Sequence, residues 1–273
     1  MALIRTTLLL GALTGLMLAI GYFLGGMAGI TYALVFAAVL NFATYWFSDK
    51  IVLMMYGAKP SNDKRLNRIV EKTAKEANIP MPKVYITEVP IANAFATGRS
   101  PNHAAVCATR GILDILNDDE LEGVFAHEIG HVKNRDILVS TMAATIAGAL
   151  SYVINFAWFA SHGNDRRNMW AILPLMILAP LAAAIIQLAI SRSREYGADY
   201  TGAFICKKPL ALASALEKIS SASVKHPLQG NPATAHLWIV NPFSGGALLK
   251  LFSSHPPVDE RVKRLKEIAR QIK

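Results

Sequence analysis

Charge and cysteine are both scarce in this chain. Asp, Glu, Lys and Arg make up 17% of its 273 residues against 53% hydrophobic ones, and the mean hydropathy is positive at +0.32. That balance argues against an ordinary soluble enzyme and for a protein with segments in a membrane. Only Cys107 and Cys206 are present, both on the predicted cytoplasmic side, and no Cys-x-x-Cys spacing exists; both read as reduced, structural thiols. The net charge of +9 comes without any basic motif interleaved with aromatics. Nucleic acid is therefore excluded as a partner, and anionic lipid is the simpler one. Internal repeats and low-complexity tracts are absent too.

The apolar residues lie in long runs. Residues 6–24 and 27–47 are uncharged, each long enough to cross about 30 Å of hydrocarbon as a helix, and Gly25-Gly26 between them predicts a tight reversal. Arg5 ahead of the first run is also how a cleaved signal peptide begins. The length of the run and the second run directly behind it favour a transmembrane hairpin. Residues 137–160 and 169–190 form a second hydrophobic hairpin, in which Pro174, Pro180 and Gln187 leave a shallow or protein-buried arrangement open. Lys and Arg are concentrated in 48–136 and 191–273, which puts both stretches on the cytoplasmic side; Arg166 and Arg167 count mildly against this.

In the polar parts, 63–78 has helical spacing and is broken by Pro80 and Pro82. Short strands are predicted at 84–87, 93–98 and 104–109, a small sheet ahead of the next helix. Asn93, Ala94, Phe95, Ala96 and Thr97 are the candidate edge strand for pairing with an extended peptide, although an ordinary sheet strand has the same spacing. Helical patterns cover 191–206 and 209–221. Residues 223–254 are rich in Gly, Pro, Asn and Ser and read as loop, and a last amphipathic helix begins at Pro256-Pro257.

Residues 117–131 end in His127-Glu128-Ile129-Gly130-His131. Asn117 or Asp118 can cap a helix here, Asp119, Glu120 and Glu122 suit its first turn, and no proline interrupts it. Residues four apart share a helix face, so His127 and His131 can hold one zinc ion, while Glu128, about 100° round the helix, stands beside a bound water as general base. Zinc acidifies that water and stabilises the oxyanion of a tetrahedral intermediate; Glu128 takes the proton and returns it to the leaving amine.

A catalytic zinc needs a third protein ligand. The metzincin pattern would require Gly at 134 and His at 137, where this chain has Asn134 and Ile137, so the ligand is remote. His131 precedes the third apolar run by six residues and Glu195 follows the fourth by five, rises of about 9 and 7.5 Å in continuous helices. Glu195 therefore returns to the height of the histidines, with Asp199 one turn on, able to orient a ligand imidazole. His226, His236, His255 and Asp199 remain alternatives; His162 falls on the opposite side.

His-Glu-Ile-Gly-His, the stretch from Ser191 through Glu195 to Asp199, Asn231-Pro232-Ala233-Thr234-Ala235-His236 and His255-Pro256-Pro257 together resemble the HtpX membrane metalloproteases, relatives of the prenyl-protein peptidase Ste24. The likeness extends over essentially the whole chain, with Ser254 where Thr is usual. It implies one zinc per chain held by His127, His131 and Glu195, with Glu128 catalytic, Asp199 supporting, and Asn93 to Thr97 on the substrate side. It also implies a multi-pass protein of the prokaryotic inner membrane that degrades damaged membrane proteins at the cytoplasmic face under stress.

The expected fold is thus a mainly α-helical integral membrane protein with a small β-sheet, a zincin-like (gluzincin) metalloprotease domain joined to transmembrane helices. Its parts are a hairpin (1–47), a zincin half with the sheet (48–136), the second hairpin (137–190) and a half carrying the third ligand (191–273). A metal site inside the bilayer is disfavoured by Glu120, Glu122, Lys133, Arg135 and Asp136 beside the motif, since a central charge costs about 2.5–3.5 kcal/mol by insertion scales. A non-catalytic zinc-tied scaffold would not need Glu128, and a prenyl-protein peptidase has more spans than this chain supplies.

Overall fold

The computed structural model describes residues 2–138, 192–225, 239 and 256–272. The first element, α1 (Ala2–Met55), is two helical arms joined at Gly25-Gly26, where Gly26 has φ +57° and ψ −138°, a combination open to glycine but not to residues with a Cβ. The arms lie side by side: Gly21 and Gly29 touch backbone to backbone, and Asn41 Nδ2 donates to Thr14 Oγ1 at 2.9 Å. The predicted reversal is where the sequence put it, but the second arm runs on past Phe47 to Met55. Among the described residues one helical segment, Gly25–Phe47, is long and apolar enough to cross a membrane. Apart from Ile137 and Leu138, the second hydrophobic hairpin lies outside the described residues, as do His162, His226, His236 and His255.

The sheet contains β1 (Lys59–Pro60), β2 (Lys83–Thr87), β3 (Ala94–Gly98) and β4 (Ala104–Thr109) in the order β1-β2-β4-β3. It is mixed: β2 and β4 are parallel, and the outer strands are antiparallel to their neighbours. Among the described residues β3 lies at the edge of the sheet, with Ala96 opposite Val106 and Phe95 opposite Cys107. Its alternating residues separate two environments. Ala94 and Ala96 join the main core, whereas Phe95 packs with Val52, Leu53 and Cys107 beside the end of α1.

Helices cover the other side of the sheet. In α2 (Lys64–Ala77) the buried residues Leu66, Ile69, Val70, Thr73, Ala74 and Ala77 repeat at three and four, the spacing that puts one stripe against a core. Asp63 caps its start, accepting from the Leu66 N–H at 3.0 Å, and left-handed Asn78 ends it. A short α3 (Arg110–Ile115), not foreseen from the sequence, leads into α4 (Asp118–Lys133). The remaining α-helices among the described residues are α5 (Arg192–Cys206), α6 (Pro209–Lys225) and α7 (Val258–Ala269). α4 is the central one: twelve of its residues are buried, among α2, α5, α6 and the sheet.

A capping box starts α4. The Asn117 Oδ1 accepts from the Glu120 N–H at 2.9 Å and the Glu120 carboxylate accepts from the Asn117 N–H at 3.0 Å. Two otherwise orphaned donors are satisfied, an arrangement worth about 1 kcal/mol. Asn117→Ala should lower the thermal unfolding midpoint in detergent by about 2–4 °C, checked by circular dichroism, while Asn117→Asp should be close to neutral.

Candidate active site

α4 and α5 approach so closely that their backbones meet. A Cβ at Gly202 would stand 2.7 Å from the His127 nitrogen and 2.9 Å from the Ala126 carbonyl carbon, and one at Gly130 would stand 3.1 Å from the Ala198 carbonyl oxygen. Two helices at that separation can share a site a few ångströms wide. His127, His131 and Glu195 converge in it: Glu195 Oε2 is 3.8 Å from His127 Nε2 and Glu195 Oε1 is 3.6 Å from His131 Nε2.

One donor atom from each residue lies within 4.8 Å of the others, so the three could hold a metal ion. Donors about 2.0–2.1 Å from a tetrahedral ion are roughly 3.4 Å apart, close to the separations here, and two imidazoles with a carboxylate suit zinc. Two of the three are buried, His127 at 1% exposure and Glu195 at 4%, while the His131 side chain is 15% exposed. Of the described alternatives for a third donor, Asp199 faces the opposite edge of the His127 ring, with Oδ1 2.9 Å from Nδ1. A proton held on Nδ1 by that carboxylate leaves the Nε2 lone pair directed at the donor set.

Glu128 is buried beside the histidines and accepts a hydrogen bond from the Ala96 N–H. That N–H belongs to β3, so the carboxylate adjoins the edge strand. Burial pushes the Glu128 carboxyl above its ordinary value, opposed by the charges of His127 and His131 and aided by that of Glu195. A carboxyl tuned upward is a stronger base toward a neighbouring water than an exposed one. Of the predicted strand residues, Ala94 and Ala96 face this side, and Asn93 instead uses its Oδ1 to accept from the Ile239 N–H at 2.9 Å. Phe95 is turned away, its ring 5.1 Å from that of Tyr56. Thr97 is fully buried in the same strand.

Arg261 is the residue that sequence reasoning missed. It is 0% exposed, donates from Nε and Nη2 to Asp199 at 2.8 and 2.7 Å, and from Nη1 to the Ile239 carbonyl at 3.0 Å. Its Nη2 also lies 3.4 Å from His127 Nδ1. A two-pronged guanidinium–carboxylate pair fixes both position and orientation. Although burial disfavours its charge, Asp199 is held well below the usual carboxylate range by Arg261 and His127. A signal was available: Val258, Arg261, Val262 and Leu265 share one helix stripe, so the arginine sits on the apolar face. The cysteines are inert as expected; burial pushes the Cys107 thiol up to about 12.

Fold and donor set together describe a metallopeptidase. Residues 60–269 match the model of peptidase family M48, and the chain belongs to that family. It is 54% identical to a "Protease HtpX homolog" of Pyrococcus furiosus over 98% of this chain and 96% of that one. A protein of the same description from Aquifex aeolicus is 51% identical over 94% and 90%. Among solved structures, Ste24p of S. mikatae shares the fold at a TM-score of 0.53 and 20% identity; the alignment covers 96% of this chain and 65% of that one.

Gly202→Ala should drive α4 and α5 apart and weaken metal binding about tenfold or more, read by competition with a chromophoric chelator. Gly197→Ala, where a Cβ would meet nothing within 4 Å, should bind as wild type does. A pH dependence follows as well. Burial pulls the His131 pKa down, but Glu195, Asp136 and Glu128 outweigh it and bring it to about 9. Below that pH an incoming ion must displace the ring proton, so metal affinity should rise about tenfold per pH unit between 6.5 and 9 and then level off; isothermal titration at several pH values checks the slope.

Proposed function

We propose that the chain is a membrane-bound zinc-dependent endopeptidase. It cleaves misfolded or damaged membrane proteins at the cytoplasmic face of a prokaryotic inner membrane, as protein quality control under stress. In this reading His127, His131 and Glu195 hold one zinc per chain, Glu128 is the catalytic base and then acid, and Asp199 orients His127. The observation that carries it is the buried Glu128 carboxylate lying between a three-donor cluster and the N–H of an edge strand. A merely structural metal would be closed off by four ligands and would have no use for that carboxylate.

In this reading the labour is divided between the metal, Glu128 and β3. Zinc, when bound, supplies Lewis-acid polarisation of the scissile carbonyl and of water. Glu128 removes a proton from the attacking water and delivers it to the departing amine, and burial, which raises its pKa, strengthens it as the base of the first transfer. In this reading an extended peptide adds its backbone alongside β3, taking over the Ala96 N–H that Glu128 now accepts from, in a manner indifferent to side chains. Such readout fits a quality-control enzyme with many substrates. The apolar arms of α1 anchor the domain, and Tyr45, Trp46 and Phe47 near the end of the spanning segment suit the bilayer interface.

Glu128→Gln, purified in detergent under chelator and then given zinc, should bind about one zinc per chain and lose cleavage of an unfolded model protein by at least 100-fold. Glu195→Gln should lose the zinc itself. Zinc loss in the first variant, or wild-type zinc content in the second, would overturn the assignment of roles.

A further inference from the structure

We propose that Asp136 is a positioning residue of the metal centre, holding the His131 ring from Nδ1 as Asp199 holds that of His127; this rests on the reading of His131 as a metal ligand. The placement begins with how α4 ends. The Arg135 N–H donates to the Val132 carbonyl at 3.1 Å and the Asp136 N–H donates to the His131 carbonyl at 2.9 Å. Arg135 between them has φ +60°. This is the paired closure in which the chain turns through one left-handed residue and folds back under the last turn of the helix. Glycine usually occupies the left-handed position, because a Cβ is disfavoured there.

Such a closure brings two side chains together, the third residue from the helix end and the second residue beyond it. They are ordinarily apolar. Here they are His131 and Asp136, and the contact is polar: Asp136 Oδ2 is 3.5 Å from His131 Nδ1, while the other ring nitrogen, Nε2, is 3.6 Å from Glu195 Oε1. The carboxylate therefore meets the ring edge that faces away from the donor set. There it favours the tautomer with its proton on Nδ1 and its lone pair on Nε2.

The carboxylate is itself held. Arg194, which precedes Glu195 on α5, brings Nε to 3.6 Å from Asp136 Oδ1. Each histidine thus has the same succession of partners, imidazole to carboxylate to buried arginine: His127 to Asp199 to Arg261, and His131 to Asp136 to Arg194. They differ in setting. Asp199 is 3% exposed against 15% for Asp136, so the Asp136 side is the more accessible to water and the more open to adjustment.

The test compares metal affinity, by chelator competition, in wild type, Asp136→Ala, Asp136→Asn, Arg135→Gly, the double variant Arg135→Gly/Asp136→Ala and His131→Ala. Asp136→Ala should bind zinc 10- to 100-fold more weakly. Asp136→Asn, whose amide oxygen can still accept from Nδ1, should recover part of that affinity, and Arg135→Gly should bind as wild type does. The double variant keeps the turn with glycine at its left-handed position, so weak binding there assigns the loss to the carboxylate rather than to the helix end. Wild-type affinity in Asp136→Ala, or its full restoration in the double variant, overturns the proposal. His131→Ala separates the two levels: if it too keeps wild-type affinity the ligand reading has failed, and if it alone loses zinc only the Asp136 role has.

Discussion

The close crossing of α4 and α5 is the constraint on which the rest depends. Neither helix carries a complete donor set: one supplies two imidazoles, the other a carboxylate and the partner for an imidazole. They form one site only because Gly202 lets the α5 backbone lie against His127 and Gly130 lets the α4 backbone lie against Ala198. Metal–ligand bonds are short and their geometry tolerates errors of only about 0.5 Å. A contact between backbones fixes separation more rigidly than one between flexible side chains, which can rearrange to absorb a shift.

The rigidity of α4 has a second source at its other end. Glu120 and Glu122 are buried, and each is met by charge from a different direction. Lys218 of α6 reaches Glu120 at 2.7 Å with Ser214 beside it at 2.6 Å. Lys72 of α2 and Lys208, in the link from α5 to α6, reach Glu122 at 2.7 and 2.8 Å. Carboxylates in the first turns also complement the positive end of the helix. One helix therefore carries two jobs along its length, with the N-terminal half held among its neighbours by ion pairs and the C-terminal half presenting chemistry.

What was legible in the sequence follows from how local each feature is. The His127–His131 pair, the helix that bears it and its cap are encoded within fifteen consecutive residues, and the structure places them accordingly. Strands β2, β3 and β4 were legible from their apolar runs; for the third donor the sequence left Glu195 beside several alternatives, and it is the cluster of Glu195 with His127 and His131 that singles it out among the described residues. Arg261 was not, because a charge on an amphipathic helix is ordinarily read as facing solvent; its place on the apolar stripe becomes meaningful only when Asp199 stands opposite. The contact of Asp136 with His131 depends on a left-handed turn at Arg135, a conformation that an arginine does not announce. The two-residue β1 and the single-turn α3 are too short for periodicity to register.

β3 links the site to the end of α1. One face, through Ala96, meets Glu128; the other, through Phe95, meets Tyr56, and beyond its end Arg99 stacks 4.4 Å over Trp46. From Trp46 to Tyr56 is ten residues, a rise of about 15 Å in a helix, and from Phe95 to Arg99 is four, about 13 Å in a strand. The two lengths agree, so β3 and its continuation run alongside the last turns of α1, fastened at both ends. The strand that adjoins Glu128 is therefore set by the same helix that follows the apolar segment. A displacement of α1 would carry that strand with it, and with the strand the Ala96 N–H that meets Glu128.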